Sequence, residues 1–185
     1  MKKFLIHGAN ASNMSWNWVG HHLENHERIS WGMTIEPEDN LKAMDKLITE
    51  PCVVVGHSMG GLYAWHLAKR NPGLVTAAIS IGTPWGGSKS VSFWRLFNMT
   101  SPWLTMLSRT EKWTTQPRRI APPCPWTNVV TTHGFDIWGV DANDGVVTVE
   151  SQRDLKNPTL EIVLHYGHTE VLQSPELVNI IKSSK

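Results

Sequence analysis

Residues 52–61 read Cys52-Val53-Val54-Val55-Gly56-His57-Ser58-Met59-Gly60-Gly61. Cys52 to Val55 are apolar at every position, whereas a strand with one wet face would alternate. The run therefore reads as a central parallel strand covered on both sides. Gly56-x-Ser58-x-Gly60 follows at once, and Met59 to Lys69 has the spacing of a helix. A serine on a sharp strand-to-helix turn stands clear at the C-terminal edge of the sheet. The flanking glycines keep that turn from colliding with its neighbours. The helix N-terminus beside it offers unpaired N–H groups and the positive end of a dipole, both favourable to an anion. The bare pattern arises by chance in roughly one chain in twenty of this length. Its position between an apolar strand and a helix makes Ser58 a candidate nucleophile.

Outward from that point, short β-branched runs alternate with longer stretches at helical spacing. Expected strands are Lys3 to Ile6, Ile29 to Met33, Cys52 to Gly56, Ala77 to Ile81, Asn128 to Thr132 and Leu160 to Leu164. Expected helices are Trp16 to Glu27, Pro37 to Ile48, Met59 to Lys69 and Pro175 to Lys182. This alternation predicts an α/β fold with a mostly parallel sheet of about six strands wrapped by helices. A chain of 185 residues fits one such domain, residues 1–185, and not two.

Composition narrows the function classes. Seventeen basic against sixteen acidic residues make no polyelectrolyte, so nucleic acid is not an expected partner. The apolar stretch after Met1-Lys2-Lys3 ends at Ile6 and no run of about twenty apolar residues occurs, so a cytoplasmic protein without membrane insertion is expected. Cys52 and Cys124 are too few and too scattered for a disulfide framework or a zinc site. Asp136, Asp141 and Asp144 crowd one loop, which is ordinarily a polar loop and not a calcium site.

The run from Val53 through Ser88 carries G-H-S-M-G-G at 56–61 and G-T-P-W-G-G-S at 82–88. In both segments it resembles the lipases and related esterases of the α/β-hydrolase superfamily. That resemblance implies an α/β-hydrolase fold, hydrolysis of a small-molecule ester or similar acyl substrate, and no cofactor. It also assigns roles. His7-Gly8-Ala9-Asn10 after the first strand is similar to the family's oxyanion loop, so the N–H groups of Ala9 and Met59 are the implied oxyanion donors. A triad on this fold runs serine, acid, histidine, which leaves His66, His133, His165 and His168 as bases downstream of Ser58. His168 matches the family's catalytic histidine, with His165 a structural neighbour. Asn143-Asp144-Gly145-Val146-Val147, with Ser151 after it, is similar to the family's acid region, so Asp144 is the implied acid and Asp136 the second choice.

Between Trp85 and Trp126 lie seven aromatics, five of them tryptophans, and six basic residues against one acid, Glu111. In the family an insertion at this point commonly caps the site, so 85–126 is the expected cap. Trp94, Phe97 and Trp103 are then candidate walls of the substrate pocket, with packing of a small satellite core as the other reading. Thioester or amide hydrolysis and acyl transfer would use the same residues, and an inactive relative that only binds a ligand would keep the pocket.

Overall fold

The computed structural model describes residues 1–87, 102–108, 110–134 and 142–184. Its elements are β1 (Lys2–Ile6), a 3₁₀ turn (Asn13–Trp16), α1 (Asn17–His21), β2 (His26–Ile29), α2 (Pro37–Asp45), β3 (Cys52–His57), α3 (Met59–Arg70) and β4 (Val75–Ile81). There follow α4 (Pro102–Met106), α5 (Lys112–Arg119), β5 (Trp126–Thr131), α6 (Val149–Arg153), β6 (Leu160–Leu164), a second 3₁₀ turn (Glu170–Gln173) and α7 (Pro175–Ser183). The strands form one six-stranded sheet in the order β2-β1-β3-β4-β5-β6, and every pairing is parallel, not merely most of them. The chain runs outward from β1 to β2 and returns to β3 on the other side of β1. The winding therefore reverses between β1 and β3, and the crevice at the carboxyl ends of those strands is where such a sheet binds ligands.

Alternation along the strands builds two cores. Phe4, Ile6, Cys52 and Val54 face α2 and α3, where they meet Leu41, Met44, Leu62 and Trp65. Leu5, Val53, Val55 and Ile79 face the other way, onto Trp16, Val19, Val171, Leu177 and Ile181. Every residue of β3 is buried, as its unbroken apolar run requires. Each buried valine or leucine contributes about 1.5–3 kcal/mol. The sheet's centre is thus firmly held. Cys52 and Cys124 are free thiols, and burial pushes both up to about 11.

Two expected elements are placed differently. The helix expected over Trp16 to Glu27 is a 3₁₀ turn and the five-residue α1, ending at His21. Trp16, Val19 and Leu23 do bury on one side, which is the spacing that reads as helix. The chain then turns through Asn25 in the left-handed region, φ 48°, and its carbonyl accepts the Lys3 N–H. The strand expected over Ile29 to Met33 is β2, three residues earlier, because pairing with β1 runs from Lys3 with His26 to Ile6 with Ile29 and stops where β1 stops. Among the described residues no helix is long and apolar enough to cross a membrane.

The elbow helix lies directly on the sheet. A Cβ at Gly60 would stand 2.3 Å from the Ile6 carbonyl oxygen, and one at Gly56 2.3 Å from the Gly60 carbonyl oxygen. Both obstacles are backbone and cannot rotate away. Gly60→Ala is therefore expected to lower stability by about 1–3 kcal/mol in urea denaturation. An unchanged midpoint would show that α3 is free to lift.

His66, inside α3, is buried against Trp65 and Trp113. Burial, against a hydrogen bond to the Trp113 backbone, pushes its imidazole from 6.5 down to about 4. Unfolding restores the ordinary value, so between about 4 and 6.5 the unfolded chain binds more protons and stability falls as pH drops through that window. His66→Gln should flatten that fall, by up to about 1.4 kcal/mol per pH unit, in urea titrations at pH 7 and 4.5. Parallel curves for the two proteins would show that this imidazole is not held neutral.

Candidate active site

Ser58 is the residue between β3 and α3, with φ 53° and ψ −125°. A serine in this conformation costs about 1–3 kcal/mol and persists only where its surroundings impose it. Here they do so: the Ser58 N–H donates to the Ile81 carbonyl at 2.8 Å, its carbonyl accepts from the Gly61 N–H, and Gly8 presses against its side chain. A Cβ on Gly8 would lie 2.8 Å from the Ser58 Cβ. The loop carrying Gly8 and Ala9 is fixed by His7, whose ring stacks on Trp31 at 5.2 Å. His7 Nδ1–H donates to the Gly8 carbonyl, and its Nε2 accepts from the Trp31 N–H. The Trp31 indole N–H in turn donates to the His7 carbonyl. Burial, opposed by the bond to Gly8, holds the His7 imidazole below its ordinary value, in keeping with a neutral ring.

Asp144 and His168 meet in the interior. His168 Nδ1 lies 2.7 Å from Asp144 Oδ2, and the His168 N–H donates to the Asp144 carbonyl at 2.8 Å. The local sequence explains the acid's position. Asn143 Oδ1 accepts the Gly145 N–H, Gly145 takes φ 96°, and the turn so made aims the Val146 and Val147 N–H groups at Asp144 Oδ1. Asp144 Oδ2 also receives Thr131 Oγ1–H at 2.6 Å and the Gln152 amide at 3.2 Å. Burial raises the carboxyl's affinity for a proton. Hydrogen bonding and charge from His168, with Thr131 and Val147, outweigh it and hold the group below its ordinary value. Asp144 is thus an anion whose acceptor sites are occupied by donors.

Ala9, Ser58, Met59 and His168 all border one cavity of about 510 Å³, with Pro84, Leu107 and Val147 among its apolar walls. Met59 is the first residue of α3, and first-turn N–H groups have no acceptor within their own helix. Ser58, Asp144, His168, Ala9 and Met59 are therefore gathered in one place from four separate segments. Ser151 ties two of the motif segments together, its Oγ–H donating to the Gly87 carbonyl at 2.6 Å and its carbonyl accepting the Gly86 N–H. Trp94, Phe97 and Asp136 lie outside the described residues, as does the side chain of Trp103 in α4. Trp85, Trp113 and Trp126 are buried in the core beside α3, and Leu107 reaches the cavity. His165 pairs with His133 and Thr132 at the sheet edge and His66 is in α3, both away from the Asp144 carboxylate.

Sequence reasoning missed three contributors: Thr131 and Gln152, which carry no motif, and His57, which lies inside the G-H-S-M-G-G segment but was given no role there. Gln152 is fully buried in α6, donating to the Thr131 carbonyl and accepting the Thr131 N–H. One signal for it exists, a glutamine one position after Ser151, and it is too general to single out.

A sequence model described as alpha/beta hydrolase fold matches residues 33–113. Lipase LipV of Mycobacterium tuberculosis is 33% identical over 88 residues, which is 40% of this chain and 34% of that lipase. The matched stretch thus spans about a third of the length of that relative. Among solved structures, the mature form of Bacillus licheniformis lipase BlEst2 superposes with a TM-score of 0.70 at 12% identity, covering 98% of this chain and 90% of that one. A thioesterase domain from the curacin biosynthetic pathway does so with 0.69 at 14% identity, covering 98% and 90%. At such identities the superpositions establish the fold.

The interior network yields a prediction of its own. Gln152→Leu fills similar space but leaves the Thr131 N–H and carbonyl without their partner. It should therefore lower stability by about 1–3 kcal/mol for each orphaned group, read from urea denaturation. Wild-type stability in that variant would mean the glutamine does not support the acid.

Proposed function

We propose that this α/β-hydrolase-fold chain is a serine hydrolase that cleaves carboxylic esters through an acyl-enzyme intermediate. The observation that carries the reading is the buried 2.7 Å contact between His168 Nδ1 and Asp144, beside a cavity shared by His168 and the strained Ser58. With Nδ1 committed to Asp144, Nε2 of His168 is the nitrogen that accepts the Ser58 hydroxyl proton as Oγ attacks the acyl carbon. The oxyanion formed is held by the Ala9 and Met59 N–H groups, a term worth about 2.7–4 kcal/mol per donor where one has been removed. Collapse expels the alcohol with the proton returned from His168. Water, deprotonated by the same imidazole, then frees the acid. Asp144 keeps the imidazole in one tautomer and stabilises its cation without taking the proton itself. The sequence likeness to a lipase and the fold shared with a lipase and a thioesterase domain support acyl chemistry. None of these steps uses a cofactor. The intact Asp144–His168 pair favours an enzyme over a ligand-binding relative.

A fluorophosphonate probe should label the wild-type protein covalently and leave Ser58→Ala unlabelled; equal labelling would remove Ser58 from the role. Asp144→Asn should reduce kcat by about three to four orders of magnitude through the wrong tautomer, while Asp136→Asn changes it little. The reverse ranking would move the acid to Asp136. The apolar walls at Pro84, Leu107 and Val147 favour an uncharged acyl group. A panel of p-nitrophenyl esters of increasing acyl length, set beside a thioester and an amide, measures the pocket and the scissile bond directly. If Trp94, Phe97 and Trp103 wall the acyl site, their alanine variants shift the preferred length and raise KM for long esters more than for acetate. An unshifted profile assigns them to packing.

A further inference from the structure

His57 ends β3, one residue before Ser58, and is buried. Its ring fills a slot between three groups: Trp16, which meets it edge-on; Gly8 of the loop after β1; and His168, whose ring centroid is 4.7 Å away. Nε2 lies 2.7 Å from the main-chain carbonyl oxygen of His168, across 111 residues of sequence. A carbonyl accepts and cannot donate, so Nε2 carries the proton. Nδ1 is then a bare acceptor, and it is buried without a hydrogen-bond partner among the described residues. A Cβ on Gly8 would come within 3.3 Å of it. The route from Ser58 through His168 to Asp144 makes no use of this ring, although the ring is held against His168 and its residue directly precedes Ser58.

We propose that His57 is a positioning residue for His168: its Nε2–H clamps the His168 carbonyl, so that the catalytic imidazole is held toward Asp144 and Ser58 together. This rests on the serine-hydrolase reading given above. His168 is pinned at three points, its N–H by the Asp144 carbonyl, its Nδ1 by the Asp144 carboxylate, and its carbonyl by His57. The first two both lead to one loop. His57 supplies the third from β3, the strand that also carries Ser58, and thereby references the base to the nucleophile. Placement at this level matters because a displacement of about 1 Å can cost about 100-fold in rate.

Histidine suits the position for a chemical reason. The donor must be rigid and must carry no charge, since the His168 imidazolium forms next to it during turnover. Burial, with the neighbouring His168 and against the bond to its carbonyl, takes the His57 imidazole down to about 3, so it is neutral wherever the enzyme would work. A lysine or arginine would place a permanent cation there, and leucine would fill the slot while leaving a buried carbonyl without a donor.

The test compares His57→Leu with His57→Gln, whose amide N–H₂ extends about as far as Nε2. Active sites are counted with fluorophosphonate, and turnover is measured on p-nitrophenyl butyrate. Loss of the clamp should lower kcat about 10- to 100-fold in the leucine variant with KM within about threefold, while glutamine restores kcat to within about fivefold. A second readout does not depend on turnover. The downfield proton resonance of the His168–Asp144 hydrogen bond, identified by its absence in Asp144→Asn, should be present in wild type and His57→Gln and broadened or lost in His57→Leu. Wild-type kcat and an unchanged resonance in His57→Leu would overturn the proposal, and so would equal losses in both variants. If the leucine variant does not fold, His57→Gln decides alone. Near-wild-type kcat supports the clamp, and a loss beyond tenfold with the resonance retained refutes it. A wild-type protein inert to every acyl substrate and to the probe would defeat the hydrolase reading, while the resonance would still judge the clamp.

Discussion

The architecture depends on how closely α3 lies against the sheet. Gly56, Gly60 and Gly61 leave room for contacts with Ile6, Thr83 and one another at which a Cβ would come within 2.0–2.3 Å of a neighbouring atom. That contact does two things. It sets the N-terminus of α3 against the carboxyl ends of β1 and β3, where the sheet's winding reverses. It also forces the intervening residue, Ser58, into a backbone conformation that serine does not choose for itself. The strain is sustained by the burial of β3, whose side chains feed both cores.

The second constraint is the hydrogen-bond accounting around Asp144. A buried carboxylate is expensive unless its acceptor sites are met, and here five donors meet them: the imidazole of His168, the hydroxyl of Thr131, the amide of Gln152 and two backbone N–H groups. Two of these come from the turn of Asp144 itself, through the Asn143 side chain and the left-handed Gly145. The others are delivered by β5, α6 and the loop after β6. Gly82 and Gly134 make the crowding possible. A Cβ at Gly82 would stand 3.2 Å from both Asp144 Oδ2 and His168 Nδ1, and one at Gly134 2.1 Å from the Gly145 N. The acid is thus fixed by packing as firmly as the serine is fixed by strain.

These constraints leave the cavity with a division of labour. Its floor carries Ala9, Ser58, Met59 and His168, with Ser58 and Met59 at the join of β3 and α3 and His168 held by its two bonds to Asp144. Its apolar walls at Leu107 and Val146 come from segments outside the sheet, and Val146 is largely exposed. On the proposed hydrolase reading, the reacting groups would sit at the sheet's edge and the choice of substrate would belong to the connections, which is the usual partition on this kind of scaffold.

The elbow was legible in the sequence because its physics is local: an unbroken apolar run, two glycines around a serine, and a helical period occupy residues 52–69 without reference to anything else. The Asn143-Asp144-Gly145 turn was legible for the same reason. Strand starts and stops were less so. β2 begins at His26 and not at Ile29 because its length is set by β1, a partner the local pattern does not contain. Only the tertiary structure brought His168 onto Asp144, put Thr131 and Gln152 behind the acid, and set His57 on the His168 carbonyl. Thr131 and Gln152 have no periodic or motif signature, and His57, although inside the elbow motif, has none for the partner it meets. A buried polar group is recognisable by the partner that satisfies it, and that partner lies 111 residues away for His57, 13 for Thr131, and 8 and 21 for Gln152.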